Sequence, residues 1–239
     1  MQRPVSLAIE TSCRRGGLAL GAGDRLIAEL DFPADQRHAT QLVPRMGELL
    51  RGHGLRPADL DELYVSAGPG SFTGLRVGIT TARTMAQVLP SLQCVAVPSA
   101  WAVAENAADV EADNLIIMMD AKEDTVYAAS FRRPPAGQAQ RQGPWEPAGD
   151  PQVIPLQAIE ATSPVRSAVA GEALAHVKIE HLPLVPVDES LWLPKACGVW
   201  RVGRRLAAQG QFVDFHLLRP IYSRQPEAVR LWERRKKSS

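Results

Sequence analysis

The residues best suited to chemistry in this chain lie in one stretch, Gly68-Pro69-Gly70-Ser71-Phe72-Thr73-Gly74-Leu75-Arg76-Val77-Gly78. Its glycines permit positive φ and let a phosphate or another backbone approach closely. The helical pattern that follows offers free N–H groups and the positive end of a dipole. Three common chemistries fail on spacing. A Walker loop needs Gly-Lys and then Ser or Thr, but Gly74 is followed by Leu75 and Arg76. The dinucleotide fingerprint runs Gly-x-Gly-x-x-Gly, and here the third glycine comes one residue late. A nucleophile elbow at Ser71 needs glycines at 69 and 73, where Pro69 and Thr73 stand. What remains is either a turn that packs a helix on a sheet or a surface for another molecule.

The other reactive side chains are sparse. Cys13, Cys94 and Cys197 are an odd, widely spaced set, which predicts no disulfide framework and a reducing, cytoplasmic compartment. Cys13 and Cys94 read as buried packing residues, because no histidine stands beside either in sequence. His176 and His181 are five apart and so do not share a helical face.

These residues must be positioned by regular elements, and the apolar periodicity supplies them. Short strand-like runs at 5–9, 17–20 and 26–30 form an opening meander with Gly-rich turns. Residues 36–53 then change to three- and four-residue spacing, with Ala39, Leu42, Val43, Met46, Leu49 and Leu50 on one helical face. A strand at 63–67, the Gly-rich stretch, a helix at 73–88, a strand at 94–97, a helix at 99–107 and a strand at 115–119 follow. Beyond them come a strand at 125–132, a Pro- and Gly-rich excursion at 134–155, strands at 167–170 and 184–187, and a helix over 190–208. Interleaved strands and helices argue for an α/β protein. The three-strand opening before the first helix matches the ribonuclease-H-like, actin-like order. The expectation is two subdomains, each a mixed sheet with flanking helices, at residues 1–110 and 111–225, with a basic tail at 226–239.

Within the helix at 73–88, Gly74, Gly78, Ala82 and Ala86 fall at spacing four. A glycine inside a helix costs about 1 kcal/mol relative to alanine, so Gly78 implies the close approach of another element. That element is either the helix at 36–53 or a helix from a partner. Part of this stripe, together with Leu42, Met46 and Leu49, is expected to be exposed and to form a partner interface.

Composition sets the remaining bounds. The 239 residues carry 27 Lys plus Arg against 26 Asp plus Glu, a formal net charge of +1. That excludes strong global attraction to nucleic acid or an anionic membrane. Residues 230–237 hold five basic side chains and Glu233, a solvated tail able to touch RNA phosphates weakly. No apolar run is long enough to span a bilayer, and the first residues lack the pattern of a signal peptide.

The stretch GPGSFTGLRVGITTARTMA closely resembles the signature of bacterial TsaB (YeaZ) proteins. Leu7-Ala8-Ile9-Glu10-Thr11-Ser12, the run His38 to Pro44, Asp120-Ala121-Lys122 with Val126-Tyr127, and Leu218-Arg219-Pro220-Ile221-Tyr222-Ser223-Arg224 add weaker similarity. The resemblance covers residues 5–132 well and the rest thinly. It implies an actin-like ATPase fold and a role in making N6-threonylcarbamoyladenosine at position 37 of tRNAs that read codons starting with A. TsaB-like proteins are the non-catalytic scaffold of that reaction. They pair through N-terminal helices with the catalytic paralogue TsaD, are joined by the ATPase TsaE, and reach tRNA through the complex; a homodimer is the alternative pairing.

The resemblance also frames a test of catalysis. TsaD-type chains hold a metal through two histidines four apart, whereas His38 has Leu42 at that spacing, so no metal site is expected. Arg14-Arg15 replaces the acidic pair that TsaD carries after its opening Glu-Thr-Ser-Cys. An actin-like kinase needs an Asp-x-Gly phosphate loop in each half, but Glu10-Thr11-Ser12 and Asp120-Ala121-Lys122 lack that glycine, and Gly171 is followed by Glu172. Glu10, Thr11 and Asp120 therefore read as a vestigial nucleotide cleft with at most weak nucleotide binding and no required cofactor. A small-metabolite kinase and a metallopeptidase are the rival enzymes.

Overall fold

The computed structural model describes residues 3–32, 38–122, 125–134, 144–159 and 167–223. The first sheet holds β1 (Val5–Glu10), β2 (Gly17–Ala22), β3 (Arg25–Asp31), β4 (Glu62–Gly68) and β5 (Gln93–Pro98) in the order β3-β2-β1-β4-β5. The meander pairs antiparallel, and β4 and β5 join it in parallel through helical crossovers. The second sheet repeats that plan. β6 (Asn114–Lys122), β7 (Thr125–Arg132), β8 (Glu146–Pro147), β10 (Ser167–Ala170) and β11 (Leu184–Pro186) run in the order β11-β10-β6-β7-β8, with β9 (Gln152–Pro155) also on β7. Two mixed sheets of one topology, each flanked by helices, make this the actin-like α/β fold. Part of the Pro- and Gly-rich excursion becomes β8 and β9; residues 135–143 lie outside the described residues.

Strand alternation divides the first sheet into two apolar faces. Leu7, Ile9, Leu18, Leu20, Leu63 and Val65 point to α1 (His38–Gly52) and α2 (Phe72–Val88), where Leu42, Met46, Leu49, Leu50, Ile79, Ala82 and Ala86 complete one core. Ala8, Ala19, Tyr64, Val95 and Val97 point the other way, to Val199, Trp200, Val202 and Leu206 of α4 (Ala196–Ala208). Space for that helix is made by glycines: an added Cβ at Gly21 would strike the Trp200 indole, and one at Gly203 the Tyr64 ring. Trp200 Nε1 donates to Ser6 Oγ at 2.9 Å, which satisfies its buried N–H.

Between the sheets lies α3 (Ser99–Asn106). Ala100, Val103 and Ala104 pack on the second sheet, while Ala102 packs beside α4 on the first. The Arg205–Glu105 ion pair, 2.7 Å, ties α4 to α3.

Two expectations require correction. The helix expected over 190–208 is broken: a short turn at Glu189–Leu191 and then Pro194 precede α4, which starts at Ala196. The division at residue 110 also misses a return of the chain. α4 covers the first sheet, Val213 bridges to Cys94, and Ile221 N donates to Ala67 O at 2.6 Å, so residues 196–223 lie against the N-terminal half. The second face of the first sheet is apolar, and among the described residues of 1–110 only α3 packs on it.

The small-residue stripe of α2 faces inward. Gly74, Gly78, Ala82 and Ala86 are buried, as are Leu42, Met46 and Leu49. An added Cβ at Gly74 would strike the Thr11 carbonyl, and one at Gly78 the Thr11 hydroxyl, with Val65 Cγ2 at 3.4 Å. The close approach that Gly78 implied is made by the end of the chain's own first strand. Gly78→Leu is accordingly expected to destabilise the isolated chain by about 3 kcal/mol, read as a drop in the urea midpoint followed by circular dichroism. A variant that unfolds like the wild type would show that α2 has room to move off β1.

Candidate functional site

Two regions gather the residues singled out by sequence. The first is the Gly-rich stretch. β4 ends at Gly68, whose φ is +109°; the Gly68–Pro69 bond is cis and Gly70 has φ +153°. These values fit glycine alone, and the space does too, since an added Cβ at Gly68 would strike the Ile221 carbonyl and at Gly70 the Ser12 carbonyl. Ser71 N donates to Ser12 O at 2.6 Å, and Ser71 Oγ accepts from Gly74 N at 3.2 Å to cap α2. The inner side of the motif is thus occupied by backbone, not by a phosphate cradle. Its outer side presents Phe72, Thr73 and Arg76 to solvent, with the Arg76 guanidinium 4.6 Å from the Phe72 ring centroid and Tyr222 stacked on the same ring at 5.2 Å.

Next to that surface, α1 and α2 leave a largely apolar groove of about 680 Å³ on the side away from the sheet. Val43, Thr80, Thr84 and Met85 line it, and Val43 is 60% exposed. The seven residues expected at a partner interface form the floor beneath this groove or the core behind it. Exposed Val43, read in the sequence as part of the inward apolar face, and half-buried Met85 were not assigned to that interface.

The second region is a cleft of about 630 Å³ between the two halves. Glu10, Arg14, Arg15 and Asp31 line it from the first half, and Glu172, His176, Trp192 and Lys195 from the second. Glu10 is fully buried; its Oε1 accepts from Ser12 Oγ at 2.6 Å and from Ser12 N, while Oε2 has no hydrogen-bond partner. Burial, reinforced by Glu172, raises its carboxyl from the ordinary 4.5 to about 7. Burial and the neighbouring Asp120 carboxylate raise Glu172 in the same direction. Two carboxyls whose charge is disfavoured thus share the cleft with the cationic side chains Arg14, Arg15 and Lys195.

The three residues assigned to a nucleotide cleft separate in space. Glu10 lines it. Thr11 is fully buried behind it, its Oγ1 without a hydrogen-bond partner. Asp120 is exposed near the end of β6, where it acts on the cleft residue Glu172 by its charge and its backbone. Trp192, Lys195 and Asp31 were missed, since nothing local marks them; only the return of the chain into α4 brings Trp192 and Lys195 here. Among the described residues no three His, Cys, Asp or Glu side chains are grouped to hold a metal ion; the His38 side chain lies outside the described set. The thiols are held protonated: burial pushes Cys13 up, and Cys94 and Cys197 to about 11. No described helix is long and apolar enough to cross a membrane.

With this geometry in hand, comparison with known proteins is specific. The family model described as TsaD, tRNA N6-adenosine threonylcarbamoyltransferase, matches residues 33–141. A Bacillus subtilis protein named tRNA threonylcarbamoyladenosine biosynthesis protein TsaB is 35% identical over 127 residues, 53% of this chain and 54% of that protein. Its Haemophilus influenzae namesake is 33% identical over 135 residues, 56% of each. The chain spans about half the length of the curated relatives it matches. The solved structure of YeaZ from Pseudomonas aeruginosa shares the fold with a TM-score of 0.77 and 25% identity, over 92% of this chain and 99% of that one. The resemblance to TsaB and YeaZ proteins seen in the sequence is therefore matched by named relatives and by the whole fold.

The cleft makes a prediction of its own. A carboxyl raised in the folded state binds a proton there that the unfolded chain has already lost, so its contribution to stability is present below pH 4.5 and is lost as pH rises to about 7. The size is about 3 kcal/mol at 1.36 kcal/mol per pKa unit. Glu10→Gln, neutral at every pH, is expected to be more stable relative to wild type at pH 8 than at pH 4.5, measured by urea unfolding at both. A difference that does not change with pH would place Glu10 in a solvated site.

Proposed function

We propose that this chain is a non-catalytic scaffold and activating subunit in the synthesis of N6-threonylcarbamoyladenosine at position 37 of tRNAs reading codons that start with A. It acts by binding a TsaD-like catalytic paralogue. The observation that carries the reading is the apolar groove on the outer face of α1 and α2, which leaves Val43 60% exposed on a helix whose opposite face is fully used in the core. Exposed apolar area of this kind, bordered by polar residues, suits a helical partner. The names of the relatives point to the pathway, and the family model points to the kind of chain that shares the fold.

A TsaE-like ATPase joins the assembly, tRNA is reached through it, and the setting is the cytoplasm with no membrane contact. A second copy of the chain occupies the same face when the paralogue is absent. The partner interface moves one helical face outward from Gly74, Gly78, Ala82, Ala86, Leu42, Met46 and Leu49 to Val43, Thr80, Thr81 and Thr84. The sealed, uncharged-favouring Glu10 carboxyl beside Glu172 supports a subunit without nucleotide chemistry of its own.

Val43→Glu places a carboxylate in the groove without entering the core. It is expected to weaken co-elution with the organism's TsaD-like protein by about tenfold or more while the melting temperature stays at the wild-type value. A complex of unchanged affinity would place the interface elsewhere. Threonylcarbamoyl transfer or ATP hydrolysis by the isolated chain, abolished by Glu10→Ala, would overturn the scaffold reading altogether.

A further inference from the structure

The cleft between the two halves contains a buried group that the chain itself does not complete. Glu10 is fully buried; its Oε1 accepts from Ser12 N and Ser12 Oγ, while Oε2 is buried without a hydrogen-bond partner. Glu10 lines the cleft, so Oε2 is a position there that the chain leaves open. Glu172 lines the same space from the second half, and its charge acts on Glu10. Neither acid has an ion pair among the described residues. Burial holds both carboxyls above the ordinary range, and His176 pulls Glu172 the other way less than burial and Asp120 raise it. This is the state of acids that lack a counter-ion.

Opposite charge stands in the same cleft on the solvent side. Arg14, Arg15 and Lys195 line it and are exposed. Asp31 feels the charges of Lys195 and Arg15, whereas Arg14 makes no ion pair among the described residues. Half-buried Trp192 also lines the cleft, and its Nε1 donates to Val187 O at 3.0 Å, which holds the indole in place. The volume of about 630 Å³ falls within the range of small-ligand sites, about 300–1,000 Å³.

We propose that this cleft binds a small zwitterion of the amino-acid class. The protonated amine donates to Glu10 Oε2 and supplies the counter-ion that Glu10 and Glu172 lack. The ligand's carboxylate is taken by Arg14 and Arg15, whose planar forks suit bidentate acceptors, with Lys195 adding charge. The Trp192 ring offers apolar cover to the ligand's side chain. An anion alone leaves Oε2 unsatisfied, and an amine alone leaves the arginines unanswered. A molecule carrying both charges meets both ends of the cleft. The inference concerns the cleft alone and does not rest on the groove that binds a catalytic paralogue.

The test is thermal unfolding and isothermal titration of the full chain with each free proteinogenic L-amino acid at pH 8, above the Glu10 value of about 7. At least one is expected to raise the melting temperature and to bind at a single saturable site. Its N-acetyl derivative lacks the ammonium and its methyl ester lacks the carboxylate, and each is expected to bind about tenfold more weakly. Glu10→Gln keeps the shape of the side chain without its charge, and a double Arg14→Gln, Arg15→Gln variant changes exposed side chains alone. Each is expected to weaken binding about tenfold or more, with circular dichroism checking the fold. Absence of binding by every amino acid would overturn the proposal, as would saturable binding of ATP in their place. Unchanged affinity in either folded variant, or equal affinity for the acetylated or esterified ligand, would overturn it too. Val43→Glu is expected to lose the paralogue and keep the amino acid, so this inference and the scaffold reading fail separately.

Discussion

The whole N-terminal half depends on one backbone contact. The chain leaves β1 at Thr11 and Ser12, and α2 begins against those two residues with no side chain between. Gly70, Gly74 and Gly78 each face an atom of Thr11 or Ser12 at a distance that leaves no room for a Cβ. Ser71 N on Ser12 O and Thr11 N on Ser66 Oγ fasten the same corner. α2 is therefore set against the end of the central strand with little slack, and α1 packs on α2 from there. The outer groove and the stacked Phe72 and Tyr222 rings inherit their positions from this corner, because both are built on the far side of α2.

The same corner shapes the cleft. Ser12, held by Gly70 and Ser71 on one side, donates to Glu10 on the other, so the buried carboxylate is aimed by the turn that seats the helix. A carboxyl in this position is costly when charged, and Glu172 from the second half adds a like charge rather than a counter-ion. The mirrored topology of the two halves brings an acid from each to one cleft.

How far this was legible in the amino-acid sequence differs by element. The meander and the first helices were readable because alternation and three-four spacing are local and strong: β1 through α2 lie within a few residues of their expected bounds. The need for glycine at 68 and 70 was likewise readable as glycine clustering, though what fills the space was not, since Ser12 lies some sixty residues earlier and Ile221 some 150 residues later. The stripe of Gly74, Gly78, Ala82 and Ala86 correctly signalled close approach, but spacing cannot tell an internal neighbour from an external one. α4 was misjudged in extent and in destination. Its apolar face fits either sheet, and only the unfilled face of β1, β2, β4 and β5 decides. Lys195 and Trp192 were invisible as cleft residues for the same reason.

That late return of the chain bears on how the protein emerges from the ribosome. All five strands of the first sheet are complete at Pro98, yet the helix that seals Ala8, Ala19, Tyr64 and Val95 ends at Ala208. About 110 further residues must be translated in between, which at typical elongation rates takes roughly 5–20 s. For that interval a finished sheet waits with an apolar flank open to solvent. The nascent chain's vulnerable window is thus set by topology rather than by any lack of final stability.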